Sequence, residues 1–569
     1  MPHDSLGARL RSLEGAPYPA YRDLTGPHPV GEFVIRIDRV QPDPFAAPSR
    51  IRIELAPESC SLPVLETRDE IRAAVDFISR AAARNLASDN RTSAGRNPGL
   101  AICAPGPEII ERTSAYWTSK AIGLRLTVAL PARGRRIRGR EAAALLTETL
   151  PEIARRALQP DDPSLRALER HIRCVEDQRV LRDQLGAHGL IAFIADGSIL
   201  PRASGVDRRP LTGDSVVPTL APESLCVTLD TAHRGPLRGL GIPEGITVIT
   251  GGGYHGKSTL LQALEQGVFD HHPGDGREHV VTRADAVKVR AEEGRSVNGV
   301  PIDTFIGTLP GAVSTRPFHT MNASGSTSQA ASVIEALEVG SRLLLLDEDT
   351  SAANFMVRDA RMQALVREEP ITPFLDRVRP LFETRGVSSV VVAGGAGDYL
   401  EVAHRVLALE RYALHDWTDR ARDVCHHTPS LRQSVCDAPL PESTPRWIAP
   451  DSLDPGRGRR SSFIRASRRD TLQYGDDEID LRGVEQLTDP AQTRAIGEAL
   501  AWLRDHGDLD RHPLAQALEI LDTTLNRAGL EALVGEARGE LARPRRQEVA
   551  AALNRLRKLK ARIQPAPPH

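Results

Sequence analysis

The chain has 569 residues and carries 73 basic against 75 acidic side chains, a formal net charge of −2. With 40% hydrophobic and 26% charged residues it has the make-up of an ordinary folded protein, which excludes a wholly disordered or collagen-like chain. The charge balance excludes a protein that is basic throughout, while leaving room for local basic patches. In chain order, a strand-like run at 33–37, Pro-rich punctuation at 41–45 and helical stretches at 72–87 and 141–158 make residues 1–170 a mixed α/β N-terminal domain. Between 171 and 440, apolar runs at 190–194, 246–250, 342–346 and 389–392 alternate with helical patterns, the order of a parallel α/β sheet. The Pro-, Arg- and Ser-rich segment 441–477 reads as a linker. Residues 478–569 read as a mainly helical C-terminal domain with a basic tail, its helices expected over 492–506, 513–528 and 547–562.

No apolar run approaches the ~20 residues needed to cross a bilayer, and the start of the chain lacks the pattern of a secretory leader. Six scattered cysteines form no CxxC pair, so a reduced, cytoplasmic setting is expected. Cys425, His426 and His427, with Cys436 nearby, fit no common zinc spacing and read as loop residues. Lysine occurs only at Lys120, Lys257, Lys288, Lys558 and Lys560. Base composition accounts for the arginine excess, but a lysine kept in such a chain can mark chemistry that arginine does not supply.

The run 246–250 ends in Gly251-Gly252-Gly253-Tyr254-His255-Gly256-Lys257-Ser258-Thr259 and then opens a helix, so GxxxxGK[ST] stands in the strand-then-helix setting it requires. Glycines let successive N–H groups converge on phosphate oxygens, and the positive end of the helix reinforces them. Lys257 supplies a point charge for the β- and γ-phosphates, and the Ser258 hydroxyl can ligate Mg2+. The whole stretch from Gly251 to Thr259 is assigned to nucleotide binding. Downstream, four leucines at 343–346 end in Asp347-Glu348, a buried parallel strand that delivers two acids to its carboxyl end. Asp347 is expected to hold Mg2+, and Glu348 to polarise the attacking water. Between these motifs Ser324-Gly325-Ser326 precedes a helix expected over 329–338, an anion site by geometry because N–H groups and dipole face outward together. This order marks the ABC class of ATPases, whose signature is usually LSGGQ; here Ser326 stands for the second glycine and Gln329 lies beyond the usual position.

At these residues the chain resembles the predicted ATPases of the ABC class, a family with one eukaryotic branch associated with mitochondrial RNA editing. The matching stretches are GGGYHGKSTLL at 251–261, PGDGRE at 273–278, DAVKVR at 285–290, ASGSTSQAA at 323–331 and DEDTSAAN at 347–354. Upstream, RIDRVQPDPFAAPSR at 36–50, PEIIERTS at 107–114 and ADGSILPR at 195–202 also match, as does GVEQLTDPAQTRAIG at 483–497 downstream. The resemblance implies an ABC-type P-loop ATPase core between extra N- and C-terminal domains, with ATP and Mg2+ as ligands. It further implies a homodimer of head-to-tail cores, in which Ser324, Gly325 and Ser326 of one copy cap the γ-phosphate held by Lys257 and Ser258 of the other.

The chain also departs from the ABC pattern. Where a switch histidine is expected it reads Ala393-Gly394-Gly395-Ala396-Gly397-Asp398, and no glutamine lies between Gly267 and His319 to serve as the Q-loop residue. No aromatic residue between Asp196 and Thr250 offers adenine the customary upstream stack. Slow or partner-stimulated hydrolysis is therefore expected. Arginines cluster at Arg133, Arg135, Arg136, Arg138 and Arg140, and in the linker at Arg457, Arg459, Arg460, Arg465, Arg468 and Arg469; the stretch 543–562 carries eight basic residues and one acid, Glu548. Such clusters suit phosphate backbones, while 4% aromatic residues and no RNP-type or zinc-knuckle motif point to backbone or shape recognition. The leading expectation is a nucleotide-gated dimeric clamp on RNA or other nucleic acid. The alternative is an ATP-gated protein-interaction scaffold; the energy subunit of a transporter leaves the large extra domains unexplained.

Overall fold

A computed structural model describes residues 5–60, 62–92, 99–214, 216–309, 311, 313–366, 368–434 and 439–563. The chain forms two compact units, residues 1–175 with 528–543 and residues 176–527 with 544–569.

The first unit is built on β1 (Gly26–Val30), β2 (Phe33–Arg39), β3 (Ser49–Leu55) and β4 (Ile122–Val128), which pair antiparallel in that order. In β2 and β3 every second residue is buried: Phe33, Ile35 and Ile37 in one, Ile51, Ile53 and Leu55 in the other. The residues between them carry an ion ladder on the opposite face, with Arg36–Glu54 and Arg52–Asp38 both at 2.7 Å. This is the period-two pattern of a sheet with one wet face. The helices α1 (Arg68–Thr92) and α2 (Leu150–Leu158) bury Val75, Ile78, Ile153 and Leu158 in the same core as those strands. On α1, the buried Asp76 bonds Arg80 at 2.6 Å and His171 at 3.0 Å. The segment 528–543 completes this unit from far along the chain: Thr113 N–H donates to the Leu541 carbonyl (3.0 Å), Leu541 N–H to Thr113 Oγ1 (3.1 Å), and Arg125 pairs with Glu531 at 2.9 Å.

The second unit holds the α/β core expected from the sequence. An antiparallel sheet uses β5 (Leu190–Ala195), β6 (Cys226–Leu229) and β7 (Leu237–Pro243). Next come β8 (Ile246–Gly251), α3 (Lys257–Gln266), β9 (Val280–Thr282) and β10 (Ala286–Val289). After α4 (Gly325–Glu338) follow β11 (Leu343–Asp347), β12 (Ser388–Val392), β13 (Arg405–Glu410) and β14 (Ala413–Asp416). The antiparallel sheet runs β6-β7-β5-β9 and the core sheet β10-β11-β12-β8-β13-β14. The core sheet is parallel up to β13, and β14 returns antiparallel to it. Because β11 is buried along its whole length, its sequence is an unbroken leucine run rather than an alternation. Parallel pairing brings the carboxyl ends of β8, β11 and β12 to one edge, where α/β proteins place their ligands.

The C-terminal part carries a three-stranded sheet, β15 (Ile464–Arg468), β16 (Thr471–Tyr474) and β17 (Asp477–Asp480), as well as the helices α5 (Pro490–His506), α6 (Leu514–Ala528) and α7 (Arg546–Asn554). Gly497, in the middle of α5, is a close-approach residue: a Cβ there would lie 2.4 Å from Ile464.

Three expectations are corrected. Residues 441–477 are not a flexible linker, because β15 and β16 lie within them and Trp447–Ile448 pairs with Ala561–Arg562. Arg446 beside that pairing is 1% exposed and bonds Glu338 (3.0 Å), the Asn298 carbonyl (2.9 Å) and Asn554 (2.9 Å). Its buried carboxylate partner makes an arginine structural where composition alone read solvation.

The helix expected over 547–562 ends at Asn554, and the tail around it is not a free polycation. Arg545 pairs with Glu548 (2.5 Å), Lys560 with Asp451 (2.7 Å), Arg546 with Glu519 and Arg562 with Asp510 (both 3.6 Å). Arg543 meets Glu111, Arg555 meets Glu292, Lys558 meets Asp477, and Arg557 donates to the carbonyls of Met321 and Gly294. Finally, Cys425, His426 and His427 lie in a helix, Thr418–His427, rather than a loop. Cys436 lies outside the described residues, and among those described no group of His, Cys, Asp and Glu has metal-site geometry.

Candidate nucleotide site

The P-loop is shaped by backbone that tolerates no ordinary side chain. Gly251 has φ 134°, and a Cβ there would stand 2.3 Å from the Leu409 carbonyl of β13. Gly256, with φ 100°, caps the N-terminus of α3. The His255 ring donates from Nδ1 to the same Leu409 carbonyl at 3.2 Å, which moors the loop to β13. Lys257 folds back over the loop, its Nζ donating to the carbonyls of Gly251 (2.8 Å) and Gly252 (2.9 Å). Gly252, Gly253, Tyr254 and Ser258 are exposed, and Thr259 is half-buried. An ammonium over a glycine-rich loop with outward N–H groups at a helix N-terminus can cradle a polyphosphate.

Asp347 and Glu348 leave the carboxyl end of β11 in different settings. Asp347 is buried, and burial raises its carboxyl above the ordinary carboxylate range, against the pull of an Asp349 N–H donated to Oδ1 at 3.2 Å. Glu348 is half-buried. Its Oε2 accepts from the backbone N–H groups of Gly394 (2.7 Å), Gly395 (2.9 Å) and Ala396 (3.4 Å). The parallel register, which sets Asp347 beside Val392, delivers that turn to Glu348. The segment that stands where a switch histidine was expected is therefore a backbone nest for the carboxylate. A carboxylate held by main-chain donors leaves no side-chain signature to read, apart from the glycines themselves.

Ser324 is the N-cap of α4 and accepts from Thr327 N–H. It is exposed, but Ser326 is buried and donates its hydroxyl to Asn354 at 2.5 Å. Gln329 bridges to the turn after β11, bonding the Ser351 hydroxyl (2.8 Å) and accepting from Ala352 N–H (2.9 Å). Ser324, Gly325 and Ser326 thus open a helix that Ser326 and Gln329 tie to the turn after β11. Among the described residues no hydrogen bond or ion pair joins them to the P-loop of the same chain.

A buried cluster beside the site was missed in the sequence. Lys288, on the edge strand β10, lies 2.7 Å from Glu485 and 3.5 Å from Glu265 of α3. Burial disfavours its ammonium, but Glu265 and Glu485 outweigh that and raise its pKa; Glu265, also buried, is raised by its own desolvation. Gln486 covers the strand edge, accepting from Lys288 N–H (3.1 Å) and donating to the carbonyls of Glu265 (3.1 Å) and Ala286 (3.2 Å). After β10, Ala291 N–H donates to the Thr350 carbonyl at 3.0 Å. Glu292 follows, with Arg555 Nε at 3.0 Å; burial works to raise its carboxyl, and that guanidinium holds it below the ordinary range. The signal for the lysine cluster was the GVEQ stretch, which supplies Glu485 and Gln486; a Cβ on its Gly483 would lie 2.2 Å from the Glu292 carboxylate, which would have to shift.

Family models match the chain along most of its length. Residues 3–161 match the family described as "ATPase of the ABC class N-terminal", residues 164–446 the ABC ATPase "P-loop domain", and residues 464–562 the "MRB1590 C-terminal domain". The uncharacterized protein MJ1628 of Methanocaldococcus jannaschii is 35% identical over 188 residues. That match covers 32% of this chain and 42% of the relative, so the chain spans less than half of the relative's length. Among solved structures, cbiO1 from Clostridium perfringens, part of the ABC transporter complex cbiONQ, aligns with 42% of this chain and 96% of its own. Identity there is 12% and the TM-score 0.24, a likeness that carries no functional argument.

Proposed function

Because the chain belongs to the ABC-class ATPases with their own N- and C-terminal domains, we propose that it is a nucleotide-gated dimeric clamp that hydrolyses ATP slowly and acts on RNA or another nucleic acid. The observation that carries this reading is the placement of the P-loop, Asp347 and Glu348 along one edge of a parallel sheet, while the start of α4 is joined through Ser326 and Gln329 to the turn after Glu348 and, among the described residues, makes no hydrogen bond to the P-loop. Such a chain holds two halves of a site and completes each with a second copy. Lys257 and the N–H groups of the P-loop bind the β- and γ-phosphates. The Ser258 hydroxyl and the Asp347 carboxylate are hard oxygen donors that fit Mg2+, which when bound neutralises charge developing on the phosphates. Glu348, held through Oε2, presents Oε1 to the attacking water and accepts its proton. Ser324 and the N-terminus of α4 cap the γ-phosphate of the partner's ATP.

For nucleic acid, the support lies in arginines that remain exposed: Arg133, Arg135 and Arg136 of a hairpin in the first unit, and Arg459, Arg465, Arg468 and Arg469 in the second. The scaffold reading is favoured instead by the basic tail, seven of whose eight basic residues pair with acids of the same chain. Among the described residues no helix is long and apolar enough to cross a membrane, and a cytoplasmic setting is part of the proposal. Phosphate release with and without RNA or DNA, at low and high salt, separates the two readings. Absence of both binding and stimulation at low salt removes the nucleic-acid reading. Lys257→Ala is expected to abolish ATP binding, and Glu348→Gln to trap ATP and stabilise the dimer in sedimentation; normal turnover in Glu348→Gln would remove the base assignment.

A further inference from the structure

A phosphate cradle leaves the base of its nucleotide to be held by something else. The segment that would customarily stack adenine, between Asp196 and Thr250, contains no aromatic residue. The aromatic side chains that stand out as exposed among the described residues are Phe45, Tyr254 and Tyr412. Two of these three border the P-loop. Tyr254 is part of the loop and is 99% exposed; Tyr412 sits at the turn between β13 and β14 and is 56% exposed.

Both have left-handed backbone, with φ 61° at Tyr254 and 70° at Tyr412, and Arg411 before Tyr412 has φ 47°. Bulky side chains are rarely found there, and such conformations cluster where a site uses them. The Tyr412 ring is close to the loop: a Cβ on Gly256 would lie 3.2 Å from its Cδ1. The hairpin that bears it is fixed to the cradle. β13 pairs with β8 from Thr247 to Gly251, and the Leu409 carbonyl receives the His255 ring N–H. An exposed ring therefore stands at a set distance from the phosphate-binding turn, on a rigid support, in a chain with only 4% aromatic residues.

We propose that Tyr412 is the platform on which the base of the P-loop nucleotide stacks, with Tyr254 as the second aromatic wall. This inference rests on the reading of Gly251 to Thr259 as the phosphate cradle. Stacking of a base on an aromatic face needs no hydrogen-bonding partner and no particular base edge, because every base has a π-face. A hairpin turn is a suitable carrier, since its reach is fixed by the strand pairing behind it.

The test separates base from phosphate. Binding of ATP and of tripolyphosphate, each with magnesium, is measured by titration calorimetry on the full chain in wild type, Tyr412→Gly, Tyr412→Asn, Tyr412→Phe and Lys257→Ala. Glycine and asparagine both accept positive φ, so each removes the ring without adding backbone strain. The expected result is a loss of ATP affinity of at least ten-fold, about 1.4 kcal/mol, in both ringless variants. Tripolyphosphate affinity stays within two-fold in them, and Tyr412→Phe stays within two-fold for both ligands. ATP affinity unchanged in the ringless variants, or both ligands weakened by the same factor, overturns the platform. ATP binding retained in Lys257→Ala overturns the cradle on which it rests, and so distinguishes the two failures.

Discussion

Replacing Gly395 by alanine probes how Glu348 is held. A Cβ at Gly395 would stand 3.2 Å from Glu348 Oε1, inside ordinary contact distance, so the carboxylate must yield by a few tenths of an ångström. Gly395 is not among the glycines with positive φ, so alanine adds crowding without backbone strain. The carboxylate stands to lose alignment with donors now at 2.7 and 2.9 Å, and a hydrogen bond to a charged group contributes about 1.5–3 kcal/mol. If proton acceptance by Glu348 requires that orientation, loss of one such bond lowers kcat by roughly 10- to 150-fold. Steady-state phosphate release measures it, with KM expected to stay within two-fold because the phosphate cradle is untouched. In a Glu348→Gln background the same substitution is expected to cause no further fall. A kcat within two-fold of wild type, a kcat that rises, or a parallel loss in KM would refute the positioning argument.

Lys288→Met leaves the buried Glu265 without its cation, while Glu485 keeps Arg290 at 2.6 Å, and removal of one partner from a buried ion pair costs about 3–5 kcal/mol. Because the folded-state pKa of Glu265 is then raised further above its unfolded value, the deficit in Tm is expected to be largest near neutral pH and to shrink as pH falls; a deficit independent of pH would count against the triad. Arg555→Ala strands Glu292 in the same way and is expected to lower the denaturation midpoint, with Arg555→Lys restoring only part of it. In the first unit, burial pushes the Asp76 carboxyl up, but Arg80 and His171 hold it down at about 2 against an ordinary 3.8. The sign follows: Asp76 stabilises the fold above its unfolded pKa by about 2 kcal/mol, and that contribution is lost as pH falls through 2. Asp76→Asn should therefore unfold more easily than wild type at pH 7 while the two converge near pH 2, as followed by denaturant titration; curves that stay parallel across that range would contradict it.

What the sequence revealed was what lies contiguous in it. A glycine-rich turn between strand and helix, a leucine run ending in two acids, and the order of the motifs each carry their own physics within about ten residues. Lys257 stood out further because lysine is so rare here. Residues whose meaning depends on a distant partner were not legible. Arg446 reads as solvated punctuation until Glu338 is brought to it, and the tail reads as a polycation until its acids arrive from other elements. The Glu348 nest is made of main-chain donors, which composition does not distinguish from a loop. Tyr412 shows why it sits in a turn only when β13 is seen beside the P-loop.

The return of residues 528–543 to the first unit has a consequence for synthesis on the ribosome. Val175 emerges well before Arg543, and at bacterial-to-eukaryotic elongation rates the interval is roughly 20–70 s. For that time the nascent N-terminal unit has all its strands but lacks the segment that satisfies Thr113 and meets Arg125. The first unit to be made is therefore closed only after the ATPase core and most of the C-terminal part have been translated, shortly before the second unit receives its own last segment, 544–569. A chain cut after residue 527 would leave that unit open along the edge that Leu541 closes.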